Sequence, residues 1–271
     1  MRTRSTSSVR VPKALILKAD GINRDEDLAY AFELSGAESK IVHINDLRNK
    51  KEKLSNYQIL GLPGGFAYGD DIVSGKILAI EMISYLGEEF QGFISRPNTA
   101  VIGICNGFQV LVRTGLLPFG KIGEMSTTLI NNDSGRFECR WVRVKAEKGS
   151  RSKFLDGMEN EIIWYPVAHG EGRFFADSKV LQKIEKENLV AFRYVDDAGS
   201  DTQKYPDNPN GSLNAIVGIS DLSGRVLGLM PHPECFVRGE QHPNWRRGRV
   251  KYPQGLPLFK NIVSFVNHEK K

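Results

Sequence analysis

Thr99-Ala100-Val101-Ile102-Gly103-Ile104-Cys105-Asn106-Gly107-Phe108-Gln109-Val110-Leu111 is the stretch whose reading decides the fold. A β-branched apolar run stops at Cys105, and an amphipathic run follows with no spacer. Those two periods in succession predict a buried strand, a very tight turn carrying one thiol, and a helix. Gly103 and Gly107 bracket the cysteine as G-x-C-x-G, the thiol counterpart of the G-x-S-x-G elbow, in which small residues let strand and helix approach closely. The sulfur then stands at a helix N-terminus, where the dipole favours a thiolate. A lone cysteine at a strand end is also an ordinary core residue, so neighbouring segments must decide.

Working outward, short apolar strands alternate with helical patterns. Ala14–Leu17 is a strand candidate ending at Asp20-Gly21-Ile22-Asn23, and Asp25–Leu34 is an amphipathic helix stopped by Gly36. Lys40–Ile44 and Tyr57–Leu62 are further strands, the latter followed at once by Pro63-Gly64-Gly65-Phe66. Asp70 or Asp71 is placed to cap a long helix running to about Phe93. This alternation predicts an α/β fold: a doubly wound, mostly parallel open sheet flanked by helices. In such sheets functional groups gather beyond the C-terminal ends of the strands, so Asp20-Gly21, Gly64-Gly65 and Cys105 are expected at one crevice.

The second half reads differently. Phe137–Val144 alternates with period two, as a half-exposed antiparallel strand does. Glu161–His169, Val190–Tyr194, Ala215–Ser220 and Arg225–Met230 are additional strands, Asp197–Ser212 is a polar loop, and Leu256–Asn267 a closing amphipathic helix. Residues 13–271 therefore read as one domain with extra antiparallel strands. Residues 1–12, rich in Arg, Ser and Thr and without acids, read as a disordered extension.

Composition bounds the function. The 271 residues are 40% hydrophobic and 25% charged, ordinary for a globular protein, and no apolar run approaches the ~18 residues of a membrane span. The net charge of +5 is scattered over the N-terminal arginines, Trp245–Lys251 and the last lysines, with no basic stripe interleaved with aromatics, so neither nucleic acid nor membrane is an expected partner. The three cysteines, Cys105, Cys139 and Cys235, are too few for a disulfide framework, which fits a reducing cytoplasm. No pair has C-x-x-C spacing, and His43, His169, His242 and His268 form no metal-ligand pattern, so no metal is expected.

The second chemically informative stretch is Met230-Pro231-His232-Pro233-Glu234, at the end of a predicted strand. The prolines stiffen it, and His232 and Glu234, two residues apart, can point the same way. A carboxylate beside an imidazole fixes its tautomer and stabilises the imidazolium; an imidazole beside Cys105 draws off the thiol proton. Gly64, Gly65 and Asn106 bring backbone N–H groups to the same crevice, where they can bind an oxyanion.

In these residues the chain resembles a known family. Pro63–Asp70, Gly103–Gln109 and Met230–Glu234 look like the three signatures of class I glutamine amidotransferase domains. Within that class the resemblance is closest to the glutaminase-subunit family of phosphoribosylformylglycinamidine synthase, in purine biosynthesis. It is carried further by Gly21-Ile22-Asn23, Ser134–Trp141, Ala168–Arg173 and Asn208–Ser212, and runs from about Lys13 to Val266. The resemblance implies that Cys105 forms a γ-glutamyl thioester, with His232 as base and then acid and Glu234 orienting it. It implies an oxyanion site at Gly65 and Asn106, and a glutamine pocket lined by Gln109 and His169-Gly170. It also implies ammonia delivery to a larger ATP-dependent synthetase subunit, a small adaptor subunit, and no cofactor in this chain, ATP and Mg²⁺ belonging to the partner. The alternatives are the same chemistry serving another acceptor, or a non-catalytic relative. Two positions depart from the family pattern: Cys235 follows His-Pro-Glu where arginine is common, and Arg24 follows Gly-Ile-Asn where cysteine is common.

Overall fold

The computed structural model describes residues 11–159, 161–248 and 252–268. Most of the N-terminal extension, Arg249–Lys251 of the basic cluster and Lys270-Lys271 lie outside these residues. In chain order the elements are β1 (Lys13–Lys18), α1 (Asp25–Leu34), β2 (Glu38–His43), α2 (Ile44–Arg48), β3 (Ile59–Leu62), α3 (Lys76–Ser95), β4 (Ala100–Ile104) and α4 (Asn106–Arg113). There follow β5 (Thr127–Ile130), β6 (Glu138–Ala146), β7 (Ile163–His169), β8 (Arg173–Ala176), α5 (Ser178–Lys186), β9 (Val190–Tyr194), β10 (Ile216–Ser220), β11 (Val226–Leu229) and α6 (Leu256–His268).

A 9-stranded sheet in the order β2-β1-β3-β4-β11-β10-β9-β6-β7 forms the centre, and β5 and β8 make a separate antiparallel ribbon. β2, β1, β3, β4 and β11 pair in parallel; each pairing from β11 out to β7 is antiparallel. Only β10 and β6 run against the rest, so β7 ends on the same edge as β4. The mostly parallel sheet expected from the sequence is present, with its antiparallel extension on one side.

Helices cover both faces. Leu28 of α1 lies over Gly61, and Leu111 of α4 lies over Gly103. Because Leu62 pairs with Gly103 across β3 and β4, Gly61 and Gly103 point to opposite faces, and so do the two helices. α1 is joined by α6, with Phe32 and Phe259 edge to face at 5.2 Å; α3 packs with α4 on the other side. Every residue of β4 is buried, the reason it reads as an unbroken apolar run rather than an alternating one.

Two expectations are corrected, and three short elements are new. α4 is buried along Asn106–Val112, so its polar residues are turned into the protein rather than to solvent. Neither Asp70 nor Asp71 caps α3, which starts at Lys76 with Gly75 at the N-cap. The chain between them runs through left-handed backbone at Tyr68, Asp70 and Ile72, which a helix entry cannot follow. Short β5, β8 and α2 have no counterpart among the elements expected from the sequence.

The approach of α4 to β3 depends on Gly107, where an added Cβ would stand 2.0 Å from the Leu62 carbonyl oxygen. Gly107→Ala is expected to destabilise the fold by about 1–3 kcal/mol in urea unfolding, the usual cost of overpacking, and to displace Cys105 from the crevice.

Candidate active site

The candidate nucleophile is held by strain and by two backbone hydrogen bonds. Cys105 sits at φ 52°, ψ −106°, between β4 and α4, a conformation side-chain-bearing residues rarely adopt. Its N–H donates to the Leu229 carbonyl at 2.8 Å, and its carbonyl accepts from Gln109 N at 3.1 Å. The first bond ties the end of β4 to the end of β11, whose continuation carries His232. The sulfur is nearly buried, donates to the Ala168 carbonyl at 3.7 Å, and stands at the N-terminus of α4.

His232 and Glu234 come from a turn that the sheet holds on one side and the closing segment on the other. His232 N donates to the Pro166 carbonyl of β7 at 2.8 Å, and Pro233 starts the 3-10 turn Pro233–Phe236. Gly255 N closes that turn from the far side, donating to Phe236 O at 2.9 Å. Within it, Nδ1 of His232 lies 2.6 Å from Oε1 of Glu234, and both side chains are buried. Nδ1–H therefore donates to the carboxylate, and Nε2 is the nitrogen left for Cys105; it makes no other hydrogen bond. Burial opposes a charge on this ring. The Glu234 carboxylate and the adjacent Cys105 overcome it and push the imidazole up to about 10. Gly64 makes the meeting possible: a Cβ there would lie 2.7 Å from Cε1 of His232 and 3.5 Å from Cβ of Cys105.

The predicted oxyanion groups stand beside them. The strand-like bridge between Ile22 and Gly65 uses Arg24 N to Gly64 O (3.2 Å) and Phe66 N to Gly21 O (2.9 Å). Gly65 N–H is not spent in it. Asn106 N–H, first of α4, belongs to the turn of N–H groups that a helix cannot satisfy internally.

Other predicted residues turn out to brace the crevice. Asn106 accepts from Ala67 N at 3.3 Å and donates to Asp70 (3.1 Å) and Gln109 (2.9 Å). Gln109 in turn donates to the Glu171 carbonyl at 2.7 Å. This chain pins the segment after Gly65 and the turn after β7 to α4. Gly170 and Glu171 line a cavity of about 360 Å³ with Asp70, Ser74, Asn132 and Phe66; neither Gln109 nor His169 lines it. Burial holds the Asp70 carboxyl above the usual carboxylate range, with the Glu171 charge adding to it against the hydrogen bonds from Ser74 and Asn106. Phe66 and Phe137, both lining this cavity, stack at 6.3 Å.

His169 is enclosed rather than exposed to the crevice. Its Nδ1 lies 3.1 Å from Asn132 Oδ1 and its Nε2 3.5 Å from Asn210 Nδ2. Burial, with the neighbouring His232 charge, pushes it down to about 3, so it stays neutral at working pH, with its one N–H on Nδ1 donating to Asn132. Sequence reasoning gave no role to Asn132 or Asn210. Asn132 uses its whole amide: it donates to Arg136 O and His169 O at 2.8 Å each, and accepts from His169 and from Gly172 N at 3.0 Å. Asn210 donates to Gly172 O at 2.8 Å and to Tyr194 OH at 3.1 Å. The signal was present in Ser134–Trp141 and Asn208–Ser212, which flank or contain these hubs. Cys139 is exposed on β6, in register with Ala168 of β7.

Taken together, a thiol on a strained elbow, an imidazole on a carboxylate and free N–H groups define a cysteine amidohydrolase-type site. The profile of the CobB/CobQ-like glutamine amidotransferase domain matches residues 11–266, and the chain belongs to that family. It is 45% identical over 255 residues to the phosphoribosylformylglycinamidine synthase subunit PurQ of Dehalococcoides mccartyi, covering 94% of this chain and 97% of the relative. It is 44% identical over 275 residues to the subunit of the same name from Treponema denticola, covering 94% and 99%. Among solved structures, "Structure of PurLQS from Thermotoga maritima" superposes with a TM-score of 0.72 at 31% identity, over 95% of this chain and 100% of that one.

Two outcomes follow from the geometry. In an NMR titration His232 is expected to lose its proton near pH 10 in the intact chain and at lower pH in Glu234→Gln, whose kcat falls by about 10²–10⁴-fold. Because the folded value lies above the unfolded 6.5, this proton stabilises the fold fully below pH 6.5, and the contribution is lost as pH rises through about 10. Asn132→Ala leaves several buried groups unpaired and is expected to cost about 1–3 kcal/mol in unfolding and to raise KM for the substrate.

Proposed function

We propose that this chain is the glutamine-hydrolysing subunit of a phosphoribosylformylglycinamidine synthase. The observation that carries the reading is the buried 2.6 Å contact between His232 and Glu234 beside Cys105, in a chain that matches relatives of that name over nearly its full length. Cys105 passes its proton to His232, and the thiolate attacks the carboxamide carbon of glutamine, whose oxygen takes the developing negative charge onto the N–H groups of Gly65 and Asn106. His232, protonated and held by Glu234, passes its proton to the amide nitrogen. The C–N bond breaks, ammonia leaves, and a γ-glutamyl thioester remains. Water then gives a proton to His232 and adds to the thioester; the C–S bond breaks and glutamate departs. Gln109, Asn106 and Asn132 act by holding the walls. Asp70, Gly170 and Glu171 line the cavity where the amino-acid end of glutamine fits.

The ammonia goes to a larger synthetase subunit, which uses ATP and Mg²⁺ of its own, with a small adaptor subunit completing a cytoplasmic assembly. No helix among the described residues is long and apolar enough to cross a membrane. Service to a different acceptor would share the triad; the near full-length likeness to subunits of this one synthase favours the purine reaction.

In the complex reconstituted with the synthetase subunit, Cys105→Ala is expected to reduce glutamine-dependent synthesis by about 10³-fold or more, while free ammonia still supports it. A glutamine-analogue electrophile should label Cys105 and leave Cys139 and Cys235 unmodified. Loss of the ammonia-dependent reaction with a folded variant would contradict this division of labour.

A further inference from the structure

The turn after His232 brings a third ligand type to the triad. Cys235 N donates to the His232 carbonyl at 3.1 Å, and this curl of Pro233–Phe236 carries the thiol back beside the two catalytic side chains. One ligand atom each of His232, Glu234 and Cys235 lies within 4.8 Å of the other two. His232 and Glu234 are buried and Cys235 is half-buried. A second, independent feature marks the cluster: Oε2 of Glu234 is buried with no hydrogen-bond partner, an acceptor that a carboxylate in a protein interior rarely leaves unused.

Imidazole, carboxylate and thiolate are together the donor set of a borderline-soft divalent ion. Zinc holds such ligands at about 2.0–2.3 Å, which sets neighbouring donors some ~3.3–3.8 Å apart. The cluster needs to contract by about an ångström to reach that, within the range of side-chain rotation. Burial, with the Glu234 and Asp27 charges, pushes the Cys235 thiol up, so an ion must displace its proton; Arg24, the cation facing it, is paired with Asp27 at 2.9 Å.

We propose that His232, Glu234 and Cys235 form a site for a zinc-class divalent cation, and that its occupancy disables the triad. The ion displaces the Cys235 thiol proton and the Nδ1 proton of His232 to solvent, forms S–metal and N–metal bonds, and takes a lone pair from Glu234, breaking the His232–Glu234 hydrogen bond. The imidazole can then neither accept a proton from Cys105 nor return one to the leaving nitrogen. Removal of the ion restores the His232–Glu234 hydrogen bond, so the inhibition is reversible. It strengthens as pH rises, because a proton competes for each ligand. The site arises from Cys235, one of the two positions where the chain departs from the family pattern. Its inhibitory consequence rests on the glutaminase reading; the metal site itself does not.

The test titrates the full-length chain with Co²⁺, whose bond to a thiolate gives an intense charge-transfer absorption. One equivalent should bind with that absorption, which should persist in Cys105→Ala and vanish in both Cys235→Ser and Cys235→Ala. In the reconstituted complex Zn²⁺ should abolish glutamine-dependent turnover, and EDTA should restore it. Cys235→Ser should keep turnover and need about 10-fold more Zn²⁺ or higher for the same inhibition. Absorption that survives in the Cys235 variants, or that disappears in Cys105→Ala, overturns the site, the latter by putting the metal on the nucleophile. Co²⁺ binding as expected in a complex without glutaminase activity would instead overturn the catalytic reading and leave the metal site standing.

Discussion

The structure turns on one backbone constraint, the abrupt passage from β4 into α4 at Cys105. A strand buried on both faces must end without wasting its last N–H, and Cys105 N meets Leu229 O at 2.8 Å to do so. That bond couples β4 to β11. Since the two are parallel, both must end on the same edge, and the residues that follow β11 arrive where the elbow already is. Left-handed backbone at Cys105 and the absence of a Cβ at Gly107 are the local conditions for this coupling. Lengthening the turn by one residue would break the register and separate thiol from imidazole.

Around that point two kinds of support divide the work. The parallel half of the sheet sets where Cys105 and His232 stand. The antiparallel half encloses them: Pro166 of β7 holds His232, Ala168 faces the sulfur, and Gly170 closes the cavity. The polar struts are amides rather than charges. Asn106, Gln109, Asn132 and Asn210, none of which titrates, join separate loops through hydrogen bonds. His169 illustrates the distinction, since its imidazole is neutral and enclosed while His232, with a carboxylate on Nδ1, is held charged.

Legibility followed the range of the interactions. The strands Val190–Tyr194 and Ile216–Ser220, the helix from Leu256 and the elbow itself were readable because each declares its period or turn chemistry within a few residues. Asp70 does not cap α3 because it lies five residues ahead of Gly75, the N-cap, and is shared between Asn106 of α4 and the Ser74-Gly75 approach to the helix. Asn132 was invisible. An asparagine in a polar loop is a turn former in any local account, and only its contacts with His169, Arg136 and Gly172 make it a hub.

The amino-acid sequence by itself determined which elements form, that the sheet is mostly parallel, and which residue types are available for nucleophile, base and orienter. These follow from hydrophobic period, from glycines at the elbow and from prolines around His232, all of them local properties of the chain. Tertiary structure alone decided which side chains meet. The direction of β7, reversed twice through β9 and β6, puts His169 and Gly170 on the catalytic edge, and the turn at Pro233 returns Cys235 to Glu234. Burial then determined their charge, because the same imidazole is driven toward neutrality at His169 and toward protonation at His232 by its neighbours and not by its own sequence context.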